Sequence, residues 1–410
     1  MHYTLKNKNR SVLEFEVLNE GKNLHFKVLN EALLPYYIRV NEASEKHLLR
    51  WLRKRKVPDN RCFAYSILNA LEGGIEADEK NPLSYLNITF ALSLKDSFWV
   101  VPTDKAHLYA WANVNLFENE FNPILQGVAF NGCRGQTQGQ ILSPEPTTDG
   151  MLRKCWRRTS QGVIELIKGT GEGDELRYVV AREPLCEYYM SQVAQAMGLD
   201  CVVYGLEKGT GEWGRRERFS TCLLFTSQEV GFLAIWECLP YEVLKKRGFD
   251  FDYEKLRQAI EAVMGKQAFS DLMLFDAIIG NIDRHLGNFG MLVNNDTNEL
   301  VKPAPIFDNG WAIFNFIDRW GIDKYFSLAY IRPYYFKSSL GYRFNKLDKL
   351  VEMHATPRHL DLCDKLKNFT FTPHPKYRPS RGLIKACSEV ICQRAKDAKS
   401  VVCEALKNHS

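Results

Sequence analysis

The stretch Asp276-Ala-Ile-Ile-Gly-Asn-Ile-Asp283-Arg284-His285-Leu-Gly-Asn288-Phe-Gly-Met-Leu-Val293, followed by Ile306-Phe307-Asp308-Asn309-Gly310, decides the reading of this chain. An Asp stands five residues before an Asn, and a second Asp follows on a later short strand. Phosphotransfer sites hold a catalytic base and one or two magnesium ions in this order. A hydroxyl nucleophile needs a carboxylate within hydrogen-bond reach, which assigns Asp283 as base. Mg²⁺ takes one or two hard protein oxygens and completes its shell with phosphate and water, which assigns Asn288 and Asp308 as metal ligands. Taken singly, Asp-Arg-His is also a surface charge cluster and Asp-Asn-Gly a turn; the ordered combination carries the reading.

Working outward, Phe269–Ile279 has the apolar density of a helix, stopped by Gly280-Asn281. Phe289–Val293 reads as a strand, 294–298 as a turn and Val301–Phe307 as the returning strand, which delivers Asp308 beside Asn288.

With 410 residues, 45% hydrophobic and 12% aromatic, the chain has material for two or three cores. A balance of 54 Lys+Arg against 49 Asp+Glu, net +5, is too mild to require a nucleic acid or a membrane as partner. The 11 cysteines are odd in number and without a Cys-x-x-Cys pair, which argues against a disulfide framework or zinc ribbon. The first residues lack a signal-peptide core, and no run approaches the roughly 18 apolar residues of a membrane span. A soluble cytoplasmic protein is expected.

Residues 1–140 mix strand-like runs such as Val12–Val17 with helical ones such as Ala43–Lys56, and carry no catalytic motif. Leu48–Lys56 is basic and amphipathic; a solvated helix face is preferred over contact with an acidic partner or nucleic acid. From 131 to 150 the composition turns to Gly, Gln, Pro, Ser and Thr, a boundary or a working loop. Met151–Arg158 and Gly162–Lys168 read as paired strands, Pro184–Gly198 as a helix, and Thr221–Phe225 and Val230–Glu237 as two strands joined by a polar turn. Cys238-Leu-Pro240 opens a helix-rich part that ends in a basic helix from about 381 to 408. The aromatic-dense 311–344 reads chiefly as packing surface. Lys168-Gly-Thr-Gly-Glu172 and its echo Lys208-Gly-Thr-Gly-Glu212 lack the Gly-Lys-Ser/Thr ending of a phosphate loop and read as hairpin turns.

A kinase also needs a strand lysine for the α/β-phosphates and a helix glutamate to orient it. Lys168, ending the apolar run Val163–Ile167, and Glu187, on the next helix, are the candidates, with Glu183 a rival.

These parts together, in Thr147–Trp156, Leu166-Ile-Lys168-Gly, Leu185-Cys-Glu187, Gly280–Asn288 and Pro305-Ile-Phe-Asp308, resemble the HipA-like kinases, bacterial serine/threonine kinases distantly similar to phosphatidylinositol kinases. The resemblance covers most of 143–400. It implies an α+β, two-lobed protein-kinase-like fold with an additional N-terminal α+β region: residues 1–140, a small lobe over 141–239 and a helical large lobe over 240–410. It implies ATP and Mg²⁺, Asp283 as base, Lys168 on the phosphates with Glu187 as its partner, and a cover over the phosphates from Thr147 to Lys154. That cover holds only Gly150 where ordinary protein kinases are Gly-rich. The cover can be an autophosphorylation site in the family, which makes Ser143, Thr147 and Thr148 candidates. Arg284 and His285 are expected to shape the loop, and the backbone from Glu237 to Leu239 to meet the adenine edge as interlobe hinge.

The expected reaction is transfer of the γ-phosphoryl group to a protein Ser or Thr. A phosphatidylinositol or small-molecule kinase, a metal-dependent hydrolase using Asp283, His285 and Asp308, and a kinase-like binding module with an antitoxin-like partner stand as alternatives. Residues 1–140 are expected to select the substrate.

Overall fold

The computed structural model describes residues 1–72, 83, 85–170, 182–210, 216–245, 252–315, 347–377, 379 and 381–408. The expected aromatic stretch therefore lies outside the described residues from 316 onward, as do 171–172 and 211–212 of the two Lys-Gly-Thr-Gly-Glu segments.

Three antiparallel sheets organise the described residues. The first joins β1 (His2–Asn7), β2 (Arg10–Leu18), β3 (Asn23–Val28) and β4 (Phe98–Pro102) in the order β3-β2-β1-β4. Its alternation buries Tyr3, Leu5, Leu13 and Phe15 on one face, as a half-buried strand requires. Helix Glu45–Arg53 covers that face with Leu48, Trp51 and Leu52, an i, i+3, i+4 stripe, and its first turn is capped by Ser44 Oγ accepting from the His47 N–H. The helix is shorter at both ends than expected.

The second sheet, in the order β5-β6-β8-β7, comprises β5 (Lys154–Arg158), β6 (Ile164–Lys168), β7 (Tyr204–Thr210) and β8 (Arg216–Leu223). Its register sets Lys154 opposite Lys168 and Lys168 opposite Ser220. Lys208-Gly-Thr210 lies within β7, a strand rather than a turn. Helix Glu183–Met197 packs on this sheet, ending at Gly198 in the left-handed conformation.

The third sheet pairs β9 (Val230–Ala234) and β11 (Leu300–Pro303) on either side of β10 (Gly290–Asn294). Thr221–Phe225 and Val230–Glu237 are thus not hairpin partners. The chain leaves the small-lobe sheet at Leu223, and 230–234 joins the catalytic hairpin, well before the expected boundary at 239. The close β9–β10 approach depends on Gly290, where a Cβ would run into the Leu233 carbonyl. Beneath this sheet, helices Tyr253–Met264, Lys266–Ile279 and Arg381–Asn408 share one large core with the 183–197 helix. Gly280, at φ +66°, ends the 266–279 helix where the sequence expects.

The N-terminal sheet docks on the tip of the catalytic hairpin. Lys8 pairs with Asp296 at 2.8 Å, Arg10 donates to the Asp296 carbonyl at 2.8 Å and Arg39 to that of Asn298 at 2.9 Å. The result is a two-lobed kinase-like fold with an extra α+β layer. Among the described residues, no helix is long and apolar enough to cross a membrane.

Candidate active site

Lys168, on the last position of β6, is buried, and its ammonium lies 2.6 Å from Glu187 Oε1 and also pairs with Asp308 Oδ1. Glu183 and Glu187, one turn apart on the same helix face, are both buried; the one that bonds the strand lysine is Glu187, the second along the helix. Its second oxygen accepts the Asn309 N–H at 2.7 Å. One carboxylate thereby fastens both the lysine and the residue after Asp308. Burial works against charge on Lys168, but Asp308 and Glu187 outweigh it and hold its pKa above the ordinary lysine value. Burial pushes Glu187 up against the pull of Lys168, whereas at Asp308 the lysines Lys168 and Lys154 outweigh burial and hold the carboxyl well below the usual range.

Asp308 has φ +58°, a left-handed conformation uncommon for a non-glycine residue, and its N–H donates to Tyr204 Oη at 3.1 Å. Strained backbone of this kind collects at functional sites, where the surroundings over-determine it.

The loop from Asn281 to Asn288 is built by its own polar groups. Asn281 Oδ1 accepts the Asp283 N–H at 3.1 Å while its Nδ2 donates to Asp276 at 3.0 Å. Asn288 Nδ2 donates to the Asp283 carbonyl at 2.9 Å, which leaves Oδ1 as the amide atom that would meet a cation. His285 closes the turn, its N–H donating to the Asp283 carbonyl and its Nδ1 accepting from Gly287. Burial pushes the Asp283 carboxyl up and neighbouring Asp308 adds to it, against His285 and Lys168. That direction suits a base that must hold a proton in passing.

Arg284 is the hub beneath the site. It grips Asp276 with two bonds, donates to the carbonyls of Asn288 (2.9 Å) and Phe307 (2.6 Å), and reaches Asn309 Oδ1 at 2.7 Å. One guanidinium thus locks the base-bearing loop to the strand end that carries Asp308.

Over the cavity lies 143–154. Lys154 donates to the Asp149 carbonyl; burial first, then Arg61 and Lys168, pull its pKa down to about 7. Gly150 has φ +91°, and a Cβ there would stand 2.6 Å from the Lys154 ammonium. Ser143, Thr147 and Thr148 are buried and their hydroxyls are engaged. Ser143 accepts from the Glu145 N–H, and Thr147 and Thr148 both donate to the Pro144 carbonyl. As folded, the hydroxyls of these candidates for self-modification hold the cover in shape.

The same cover closes on two communicating spaces. A cavity of about 1220 Å³ is lined by Lys154, Lys168, Asp283, His285 and Asp308, and also by Glu237. A smaller one of about 140 Å³ lies between the cover, Leu223–Thr226, Phe232, Asn288 and Asp308. Of the expected hinge Glu237–Leu239, Glu237 lines the large cavity and Leu239 lines neither space. Leu239 is wholly buried in the large-lobe core and its carbonyl accepts from Asn41, while the Glu237 carboxylate caps the Ala234 N–H. Leu223–Thr226, the crossing between the two sheets, lines the small apolar space instead.

The donor set fits a magnesium ion held chiefly by substrate phosphates. Asp308 and Asn288 offer one carboxylate and one amide oxygen, and among the described residues no group of three or more His, Cys, Asp or Glu forms a self-sufficient metal site. Asp283, His285 and Asp308 accordingly do not converge as a metal triad.

With this geometry in place, residues 149–329 match the family model of the HipA-like C-terminal domain. That stretch is similar to a HipA-like C-terminal domain. Among solved structures, the HipA of Shewanella oneidensis MR-1, determined in complex with HipB and its operator DNA, aligns over 99% of both chains with 12% identity and a TM-score of 0.56. The Helicobacter pylori proinflammatory kinase CtkA aligns over 64% of this chain and 94% of its own, with 16% identity and a TM-score of 0.42. A comparison with curated proteins found no match. The HipA likeness extends through the N-terminal layer, so the HipA-like domain and that layer recur as one arrangement.

Sequence reasoning missed several residues that build the candidate site. Asp276 anchors Arg284, Tyr204 receives the Asp308 N–H, and Asn309 joins Glu187 to Arg284. Arg61, from the N-terminal region, donates to the carbonyls of Thr148 (2.8 Å) and Lys154 (2.7 Å) and so holds the cover from outside. Asn309 lies inside a quoted motif; Arg61 and Tyr204 give no local signal.

Proposed function

We propose that this protein is an ATP- and Mg²⁺-dependent kinase that transfers the γ-phosphoryl group to a Ser or Thr hydroxyl of a protein. The observation that carries this reading is the convergence of Lys168, Asp308 and Asp283 on one cavity, with Glu187 bonded to Lys168 and Asn288 bonded to the Asp283 carbonyl. The small space beside Leu223–Thr226 suits an adenine ring, with Phe232 and Leu224 as apolar walls. Lys168 and Lys154 would hold phosphates, Asp308 and Asn288 the metal, and Glu187 fixes Lys168 in place. Mg²⁺, when bound, neutralises charge on the phosphates. Asp283 accepts the proton of the acceptor hydroxyl, and its raised pKa makes it a better acceptor than an exposed aspartate.

In the same proposal, residues 1–140 select the acceptor, the small lobe begins at about 141, and the large lobe takes over after the Leu223–Thr226 crossing. HipA in its solved complex is bound to HipB, which makes an antitoxin-like protein the first partner to look for.

The deciding experiment is γ-phosphate transfer from labelled ATP with Mg²⁺, comparing the unmodified protein with Asp283→Ala and Asp308→Ala, with added protein and added lipid as acceptors. Label on protein that both substitutions abolish supports the reading. Label on lipid alone replaces it with a lipid kinase, and no transfer by folded protein to any acceptor favours a binding module.

A further inference from the structure

The 1220 Å³ cavity that holds Asp283 and Asp308 has a second wall. It is made by the N-terminal helix Glu45–Arg53 and the residue after it, and that wall is basic: Lys46, Arg50, Arg53 and Lys54 all line the cavity. Spaced i, i+4 and i+7 to i+8, they form one row along the helix, about 12 Å long at 1.5 Å per residue. This is the face opposite Leu48 and Leu52, which are buried under the N-terminal sheet.

Several other cations of the same cavity are paired. Arg55 holds Asp96 at 2.7 Å, Lys56 holds Asp59 at 3.6 Å, and Lys95 pairs with Asp149. Glu45, the acidic residue of the helix itself, is engaged by His25 at 3.1 Å. Among the described residues, Lys46, Arg50, Arg53 and Lys54 make no ion pair. Three of them are steadied by rings instead. The Lys46 ammonium lies 4.0 Å from the Tyr241 ring centre, the Arg50 guanidinium 5.3 Å from Tyr241 and 5.8 Å from Trp236, and Lys54 5.9 Å from Trp236. Cation–π contact orients a cation without neutralising it. Arg50 Nε is moreover buried without a hydrogen-bond partner, a donor left open.

We propose, building on the kinase reading above, that this row is the acceptor subsite for an acidic peptide segment, which places a nearby Ser or Thr hydroxyl against Asp283. A row of about 12 Å matches three to four extended residues at roughly 3.3 Å each. The nucleotide phosphates have their own cations, Lys154 and Lys168, beside Asp308, so the row is surplus to ATP. An acidic peptide is favoured over single-stranded nucleic acid because the neighbouring rings, Trp236 and Tyr241, are already covered by cations and offer no free stacking platform.

The test is fluorescence anisotropy on the full chain with a labelled peptide carrying one Ser beside a run of Glu, a matched Gln peptide, and a single-stranded oligonucleotide. The double variant Arg53→Glu/Lys54→Glu changes two exposed residues and leaves the fold intact; Arg50→Gln probes the open donor separately. The expected result is binding of the Glu peptide that falls with added salt and weakens about tenfold or more in the double variant and in the Gln peptide, with Mg·ATP affinity unchanged. Equal binding of Glu and Gln peptides, or an unaffected double variant, overturns the proposal. So does tighter binding of the oligonucleotide, which would make nucleic acid the occupant. Because binding is read without turnover, failure of the kinase reading shows separately, as peptide that binds but is never phosphorylated.

Discussion

Arg284 and Asp276, eight residues apart, form a two-pronged ion pair of 2.8 Å and 3.0 Å in the floor of the site, both side chains almost fully buried. Asp276 belongs to the helix before the catalytic loop, so the pair ties the loop to a rigid element. Arg284→Met leaves the Asp276 carboxylate buried and uncompensated, and the expected loss is about 3–5 kcal/mol by urea denaturation. Arg284→Lys keeps the charge but not the five-donor fork, and should recover only part of it. Equal stability of all three proteins would show that the pair is not what fixes the loop.

Lys168 contacts two carboxylates, and its loss should separate their roles. Lys168→Met is expected to lower phosphoryl transfer by about 10²–10³-fold, the usual effect of deleting one preorganised charge-stabilising donor. Glu187→Gln keeps the bond to the Asn309 N–H but no longer offers a charge to Lys168, so a smaller loss is expected. Steady-state kinetics on both variants, with circular dichroism as a check on folding, distinguish the two.

The pairing of Lys168 with Asp308 also sets an acid limit. The folded-state pKa of Asp308 is depressed, so its contribution to stability is present above the ordinary carboxyl value and lost as pH falls toward the folded one. Asp308→Asn should flatten this part of the acid-unfolding profile. An unchanged profile would assign the acid sensitivity to other carboxylates.

Lys154, with its pKa pulled down to about 7, is half-charged near neutrality when no nucleotide is bound. Its ammonium is the form that attracts phosphate, so Mg·ATP affinity should weaken as pH rises through about 7. Stability runs the other way. A lysine whose folded pKa is depressed destabilises the fold least at high pH, and its penalty grows as pH falls from the ordinary lysine value toward about 7. Lys154→Arg, charged at every pH, should remove the dependence of ATP affinity. Calorimetric titration across that range, with the titration of ATP itself common to both proteins, is the check.

Gly150 stands in a left-handed conformation against the Lys154 ammonium. Gly150→Val combines backbone strain of about 1–3 kcal/mol with displacement of that lysine. The expected outcome is a raised KM for ATP with kcat less affected, since the cover and not the base is disturbed. A change in kcat alone would move Gly150 out of the nucleotide-binding surface.

Much of the fold was legible because it is written locally. The helix ending at Gly280, the loop Asp283–Asn288 and the hairpin returning Asp308 rest on periodicity, a stop residue and turn chemistry within a few dozen residues. The choice between Glu183 and Glu187 was not legible, since both lie on one face of one helix and only the position of that helix along its axis against β6 decides which reaches Lys168. The pairing of 230–237 was misassigned for a related reason. Val230–Ala234 has the pattern of a strand but nothing in it names a partner, and it pairs with β10, some sixty residues away, rather than with β8.

The sequence by itself singled out the candidates for base, metal ligands and phosphate cations, because that order of residue types follows from what phosphoryl transfer requires. Only the tertiary structure decided what surrounds them. Arg61 bracing the cover, Tyr204 receiving Asp308 and the Lys46–Lys54 row lining the same cavity as Asp283 are relationships across large sequence separations. They are set by how lobes and the N-terminal layer pack, and packing over such distances leaves no periodic trace in the chain.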